Sequence, residues 1–307
     1  MEESQDPFKG FQQIGKAVKQ SLVVVKNAML GNRDVIPTKW PRLNRNLLGG
    51  LQKGKLYVIA GRPGVGKSAF SNQMIFDVLD ENTIKPIVVL YWTFEMPGYQ
   101  QIMRSASKDL KKGLGELFSL DSPLSQNDFD RYAANATRYN KYEIYFNNHP
   151  RSMESIINSN ERIFIAHPDK TIINVFDHSR LIKGKAESEL QRLNIVSKGC
   201  MEMQSKMGAI NILLSQLNRN IEQEHRAKNQ YQPLLTDLFG GDSIGQDAHV
   251  VMILNRPHAL YGITGTYCEE DPVNLLACHV EKNRDGMLGM IPYEADMSTF
   301  TINERKK

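Results

Sequence analysis

The segment Gly61-Arg62-Pro63-Gly64-Val65-Gly66-Lys67-Ser68 satisfies G-x-x-x-x-G-K-[ST] at every fixed position. Glycines at those places let consecutive backbone N–H groups turn inward around phosphate oxygens, aided by the positive end of a following helix. Lys67 is suited to neutralising β- and γ-phosphates, and the Ser68 hydroxyl to holding Mg²⁺. The candidate nucleotide-binding stretch runs from Gly61 through Ala69. Such a loop needs a carboxylate at the end of another buried strand. Asp177 closes the apolar run Ile172 to Phe176 and fits the role of binding Mg²⁺ directly or through water. Glu95, in Thr93-Phe94-Glu95-Met96, follows the run Val88 to Trp92. A carboxylate there can orient and deprotonate an attacking water, or it can be an acid favoured by the dipole at a helix start.

These groups meet only if strand ends converge on one edge of a sheet. Short apolar runs recur at Leu56 to Ala60, Ile87 to Trp92, Ile172 to Phe176, Ile210 to Leu214 and Val250 to Leu254. Helical patterns are predicted between them near 68–80, 97–111, 125–139, 152–166 and 187–207. Buried strands alternating with helices imply βαβ units and a parallel sheet covered on both faces. A strand and hairpin are predicted after residue 275, over Leu275 to Val280, Met290 to Tyr293 and Thr299 to Ile302. Ahead of the sheet, Phe11, Ile14, Val18, Leu22, Val25 and Met29 recur at helical spacing, either to pack on a core or to dock on a neighbouring subunit. The polar stretch 220–249 reads as one long loop.

At 307 residues the chain is long enough to bury a core without disulfides or metal. With 41% hydrophobic and 23% charged residues, wholesale disorder and fibrous repeats are excluded. Lys+Arg 38 against Asp+Glu 34 leaves +4, compatible with a polyanionic partner but no evidence for one. Cys200, Cys268 and Cys278 form no CxxC pair, which argues against a disulfide framework or zinc ribbon and suits a reducing cytoplasm. The acidic opening Met1-Glu2-Glu3-Ser4 carries no signal-peptide pattern, and no apolar run reaches the ~20 residues of a membrane helix. A cytoplasmic protein is expected, in a host cytoplasm if the source is viral.

Six segments, in order, resemble the C-terminal ATPase domain of DnaB-type replicative helicases, which has a RecA-like core. They are Gly61 to Ser68, Thr93 to Met96, Ile173 to Asp177, Leu214-Ser215-Gln216-Leu217-Asn218-Arg219, Ser243-Ile244-Gly245-Gln246-Asp247-Ala248 and Glu281-Lys282-Asn283-Arg284-Asp285-Gly286. Coverage runs from about Pro37 to Ile302. The implied fold is α/β: a RecA-like P-loop core, a mostly parallel sheet flanked by helices, with a C-terminal antiparallel hairpin. The implied organisation is a tail and linker-like helix over 1–35 and one ATPase domain over 36–307. ATP and Mg²⁺ are the implied cofactors. Glu95 resembles the catalytic base, Asp177 the Mg²⁺ carboxylate and Gln216 the γ-phosphate sensor. Lys282 and Arg284 resemble a pair that reaches across a subunit interface as a finger; their other reading is solvated hairpin charge.

The resemblance further implies a hexameric ring moving 5′ to 3′ on single-stranded DNA, with a primase or helicase loader as partner and no membrane. Two loops would line its channel. One is Arg180-Leu181-Ile182-Lys183-Gly184-Lys185, with Arg180, Lys183 and Lys185 on DNA; the other contains Gly240, Gly241 and Asp242. Here the chain departs from the family pattern R-E-S-G-S-I-E-Q-D-A-D. Phe239 stands at the arginine and Gly245 at the second glutamate. His178 follows the Asp177 carboxylate, where the family usually has an aromatic or hydrophobic residue. No counterpart of the family's N-terminal collar domain is expected in 1–35, as in a compact phage or plasmid replicon. The alternative function is a RecA-like ATPase that assembles or loads a helicase without unwinding.

Overall fold

The structure, a computed structural model, describes residues 11–93, 96–149, 151–177 and 188–306. Runs rich in β-branched and aromatic residues become strands, since such side chains suit a pleated surface covered on both faces. In chain order these are β1 Leu56–Gly61, β2 Ile87–Thr93, β3 Ile144–Asn147, β4 Thr171–Asp177 and β5 Ile210–Gln216. Then come β6 Val250–Asn255, β7 Leu275–Asn283, β8 Gly289–Asp296 and β9 Thr301–Glu304. Among the described residues they join in one nine-stranded sheet in the order β9-β8-β7-β6-β1-β5-β4-β2-β3. The six strands from β6 to β3 are parallel, and β7, β8 and β9 pair antiparallel. The predicted class, a mostly parallel sheet with helices and a C-terminal antiparallel hairpin, is the observed one.

The principal helices are α1 Ile14–Met29, α2 Pro41–Asn46, α3 Lys67–Glu81, α4 Gly98–Leu110, α5 Gln126–Arg138, α6 Met153–Ala166, α7 Glu189–Met207 and α8 Gly241–Asp247. Serine hydroxyls mark three starts: Ser125, Ser152 and Ser188 each accept an N–H from the first turn of α5, α6 and α7. The chain divides into two compact units, Met1–Val35 and Ile36–Lys307. In the first, α1 has no buried residue and starts at Ile14, three residues later than its apolar stripe.

The second unit has a core on each face of the sheet, separated by strand alternation. Tyr57 and Ile59 of β1 join Phe70 and Met74 of α3 and Tyr293 of β8 in one. Leu56, Val58 and Ala60 join Met153 and Ile156 of α6 and Val196 and Met203 of α7 in the other. A buried amide network pins the register. Trp92 Nε1 donates to Asn174 Oδ1 at 3.0 Å, and Asn174 Nδ2 donates to Asn160 Oδ1 at 2.8 Å and Asn211 Oδ1 at 3.0 Å. A one-residue slip of β4 would strand all of these groups without partners.

Two features differ from the sequence reading. β3 carries no strong alternation, and its partly exposed residues place it at the sheet edge. The stretch 220–249 is not one loop: it folds into short turns and α8, with Ile221, Arg226, Asp237, Leu238, Ile244 and Ala248 buried. Its polar composition misleads because buried Arg226 is matched by Asp237, with nitrogen–oxygen distances of 2.9 and 2.8 Å.

Candidate functional site

β1 ends at Gly61, level with Gln216 of β5 and Leu254 of β6. The chain then turns through Gly64 at φ +77° and Gly66 at φ +105°, backbone angles that a side chain disfavours, before α3 starts at Lys67. A Cβ on Gly66 would also lie 2.7 Å from Met297 Cε. Lys67 Nζ donates to Gly61 O at 2.9 Å and Arg62 O at 3.1 Å, which holds the ammonium over the loop. Val65 is fully buried beneath it.

A cleft of about 350 Å³ opens here, lined by Pro63, Gly64, Gly66, Lys67, Ser68 and Ala69 of the loop. Asp177 and Gln216, from the ends of β4 and β5, line its other side. Asp177 is 5% exposed and level with Thr93, the last residue of β2. The residue set suits a nucleoside triphosphate with Mg²⁺: a glycine loop at the start of a helix, an ammonium, and a hydroxyl and carboxylate lining one space. Glu95 lies outside the described residues; Thr93 Oγ1 donates to Met96 O across that gap. Also outside are His178, Arg180, Lys183, Lys185 and the Asp242 side chain.

The cleft has four further lining residues that motif reading does not find: Arg104, Arg256, Met297 and Phe300. Arg104, on α4, stacks over the Phe300 ring at 4.9 Å. Burial lowers its pKa, opposed by the charge of Asp177. Arg256 follows β6 directly and is likewise lowered by burial. Guanidinium groups keep their charge under such shifts, so the cleft holds three cations against one described carboxylate. The rule that singled out Asp177, a polar residue at a strand end, would also have found Arg256. Met297 and Phe300 arrive from the β8–β9 turn and carry no sequence signal. Arg62 turns away from the cleft: its guanidinium pairs with Glu222 at 2.6 Å and donates to Leu217 O at 3.2 Å.

Lys282 and Arg284 are elsewhere. β7 runs antiparallel to β6, with Lys282 opposite Val251 and Asn283 opposite Val250. Val250 is level with Tyr57, near the start of β1. The pair therefore sits at the amino edge of the parallel strands while the phosphate loop occupies the carboxyl edge, a separation on the order of 15 Å. Lys282 is half-buried and Arg284 is exposed, yet both hold backbone carbonyls. Lys282 Nζ donates to Gly245 O at 2.6 Å and Gln246 O at 2.8 Å, and Arg284 Nη2 to Gln246 O at 2.6 Å.

The segment carrying Gly240 and Gly241 is tied to the end of β5. Leu217 and Leu238 form an antiparallel bridge, and Phe239 N donates to Gln216 O at 3.0 Å. Phe239 is half-buried and packs against the α6–α7 core.

The chain matches the family of the DnaB-like helicase C terminal domain over residues 35–302. It is 25% identical over 329 residues to the replicative DNA helicase DnaB of Rickettsia prowazekii, covering 97% of this chain and 65% of that protein. With the replicative DNA helicase DnaB of Geobacillus stearothermophilus it shares 26% over 272 residues, covering 86% and 56%. Among solved structures, one of an ATPase domain has the same fold, with a TM-score of 0.81 at 20% identity over 94% of this chain and 99% of that one. A DnaB-like replicative helicase, described with its interactions with primase, gives 0.79 at 19% over 93% and 66%. The chain spans under two thirds of the length of these curated relatives.

Proposed function

We propose, for a chain that belongs to the family of DnaB-like helicase C-terminal domains, that it is the ATP-hydrolysing motor of a replicative DNA helicase. The motor works as a ring, hexameric as the resemblance implies, on single-stranded DNA, and the direction is 5′ to 3′. The observation that carries this reading is the placement of Lys282 and Arg284 at the sheet edge opposite the chain's own phosphate loop. A finger so placed can serve only a second copy. In this reading residues 36–307 are the motor, 1–35 a linker-like arm whose exposed α1 stripe meets the neighbouring copy, and the setting is cytoplasmic. Among the described residues no helix is long and apolar enough to cross a membrane. A primase or helicase loader is the proposed protein partner.

The loop N–H groups hold the phosphates of ATP, and Lys67 exchanges the Gly61 and Arg62 carbonyls for phosphate oxygens. Ser68 and Asp177 would hold Mg²⁺, which supplies charge neutralisation at the β- and γ-oxygens. Glu95 takes the proton of the attacking water. Arg284 from the neighbouring copy stabilises the charge spread over the transferring phosphoryl group, with Lys282 beside it. Gln216 loses its partner when the γ-phosphate leaves, and its backbone bond to Phe239 carries that loss toward Gly240 and Gly241 in the channel.

Single-stranded DNA is expected to raise ATP turnover, with an affinity that falls as salt rises. A second reading, a helicase-assembly or loading ATPase, is favoured by the half-buried Phe239 and by Gly245 where the family carries charge. Turnover indifferent to every polynucleotide would select it.

A further inference from the structure

Helix α8 spans the distance between the two edges just described. Its leading end is held at the carboxyl edge, where Phe239 N meets Gln216 O and Asn218 N meets Asp237 O at 2.8 Å. Its trailing end reaches the amino edge, where His249 N donates to Leu56 O at 2.9 Å. Seven residues make a helix of about 10 Å, and the residues on either side of it, Phe239 and His249, complete the span between the edges.

The last carbonyls of a helix have no donor within it and carry the negative end of its dipole. Ile244 O is taken by Ala248 N at 2.9 Å. The next two, Gly245 O and Gln246 O, are taken by Lys282 and Arg284. Strand period puts these two side chains on one face of β7 and its extension, so they act on the helix end together. The strand end itself is fixed. Asn283 Nδ2 and Met287 N both donate to Asn46 O, at 2.8 and 3.2 Å, and a Cβ on Gly286 would lie 2.0 Å from that oxygen. Motion of the pair therefore belongs to its side chains or to α8, not to β7.

We propose that Lys282 and Arg284 form an exchangeable latch. Without nucleotide on the neighbouring copy they cap the C-terminal carbonyls of α8; when that copy binds ATP they leave for its γ-phosphate and uncap the helix. Because the other end of α8 hangs from Gln216, the neighbour's nucleotide state reaches this subunit's own sensor strand through one short helix. The latch rests on the reading of this pair as a finger acting across an interface.

Hydrogen–deuterium exchange of the assembled protein tests it at residues 241–249. Adding Mg²⁺ and a non-hydrolysable ATP analogue is expected to speed exchange there about tenfold, as a capped helix end loosens. Lys282→Met and Arg284→Ala are expected to exchange fast without nucleotide and to respond little to it, whereas Lys282→Arg, which keeps a cationic donor, restores the protection. Protection that neither the analogue nor these substitutions alter overturns the latch. ATP turnover measured in parallel separates the two ideas. Turnover lost in Arg284→Ala with an unresponsive 241–249 segment removes the latch and leaves the finger; turnover indifferent to Arg284→Ala removes both.

Discussion

Lys67 rests on two carbonyls of its own loop, and Arg284 on a carbonyl at the opposite edge of the sheet, so their substitutions separate binding from chemistry. Lys67→Ala removes the cation over the phosphates and is expected to abolish ATP binding, read by calorimetry. Arg284→Ala is expected to leave ATP affinity near wild type and to lower turnover by about 10³–10⁵, the range for such fingers. A different residue contributes to the acid sensitivity of the fold. His279 is 6% exposed, and its Nε2 is hydrogen-bonded with Tyr267 Oη at 3.1 Å, while Asn255 Nδ2 donates to that same hydroxyl. Burial pushes the His279 pKa down to about 4, with Glu281 4.0 Å away on the other side. The unfolded imidazole, at ~6.5, takes its proton first as pH falls, so stability is lost between about 6.5 and 4. By pH 5 the loss from this residue is about 2 kcal/mol, and urea unfolding at pH 7 and 5 should show a difference smaller by about that much in His279→Gln than in wild type.

Elements that bury both faces were legible, because a parallel strand must be apolar along its whole length; β1, β2, β4, β5 and β6 follow that rule. The phosphate loop was legible because backbone angles near Gly64 and Gly66 demand glycine. The edge strand β3 was not, since half its residues face solvent or loops and no pattern is forced on them. Helix α8 escaped notice because seven residues starting at a glycine carry too few turns to show a period. Lys282 and Arg284 were legible as residues but not as helix caps, for their partners are backbone carbonyls, which any sequence supplies. The amide network was equally hidden, its asparagines being far apart in sequence. Asn174→Ala would leave Trp92 Nε1, Asn160 and Asn211 without their buried partner. It is expected to cost about 3 kcal/mol in chemical denaturation while leaving the phosphate cleft intact.

Taken as one molecule, the second unit carries a cleft at one sheet edge and a cationic pair at the other, which it cannot bring together by itself. In the proposed function, copies arranged head to tail would bring each pair to the next cleft, and a ring would be the closed form of that arrangement. Hydrolysis would then depend on neighbours, and losses from mixed subunits are expected not to be additive. The most direct measurement is fork unwinding with ATP by rings assembled from wild-type and Arg284→Ala subunits in graded ratios. Wild-type rings should displace the strand, and activity should fall more steeply than the fraction of wild-type subunits. ATP hydrolysis without strand displacement by wild-type rings, or a loss strictly proportional to the mutant fraction, would contradict it.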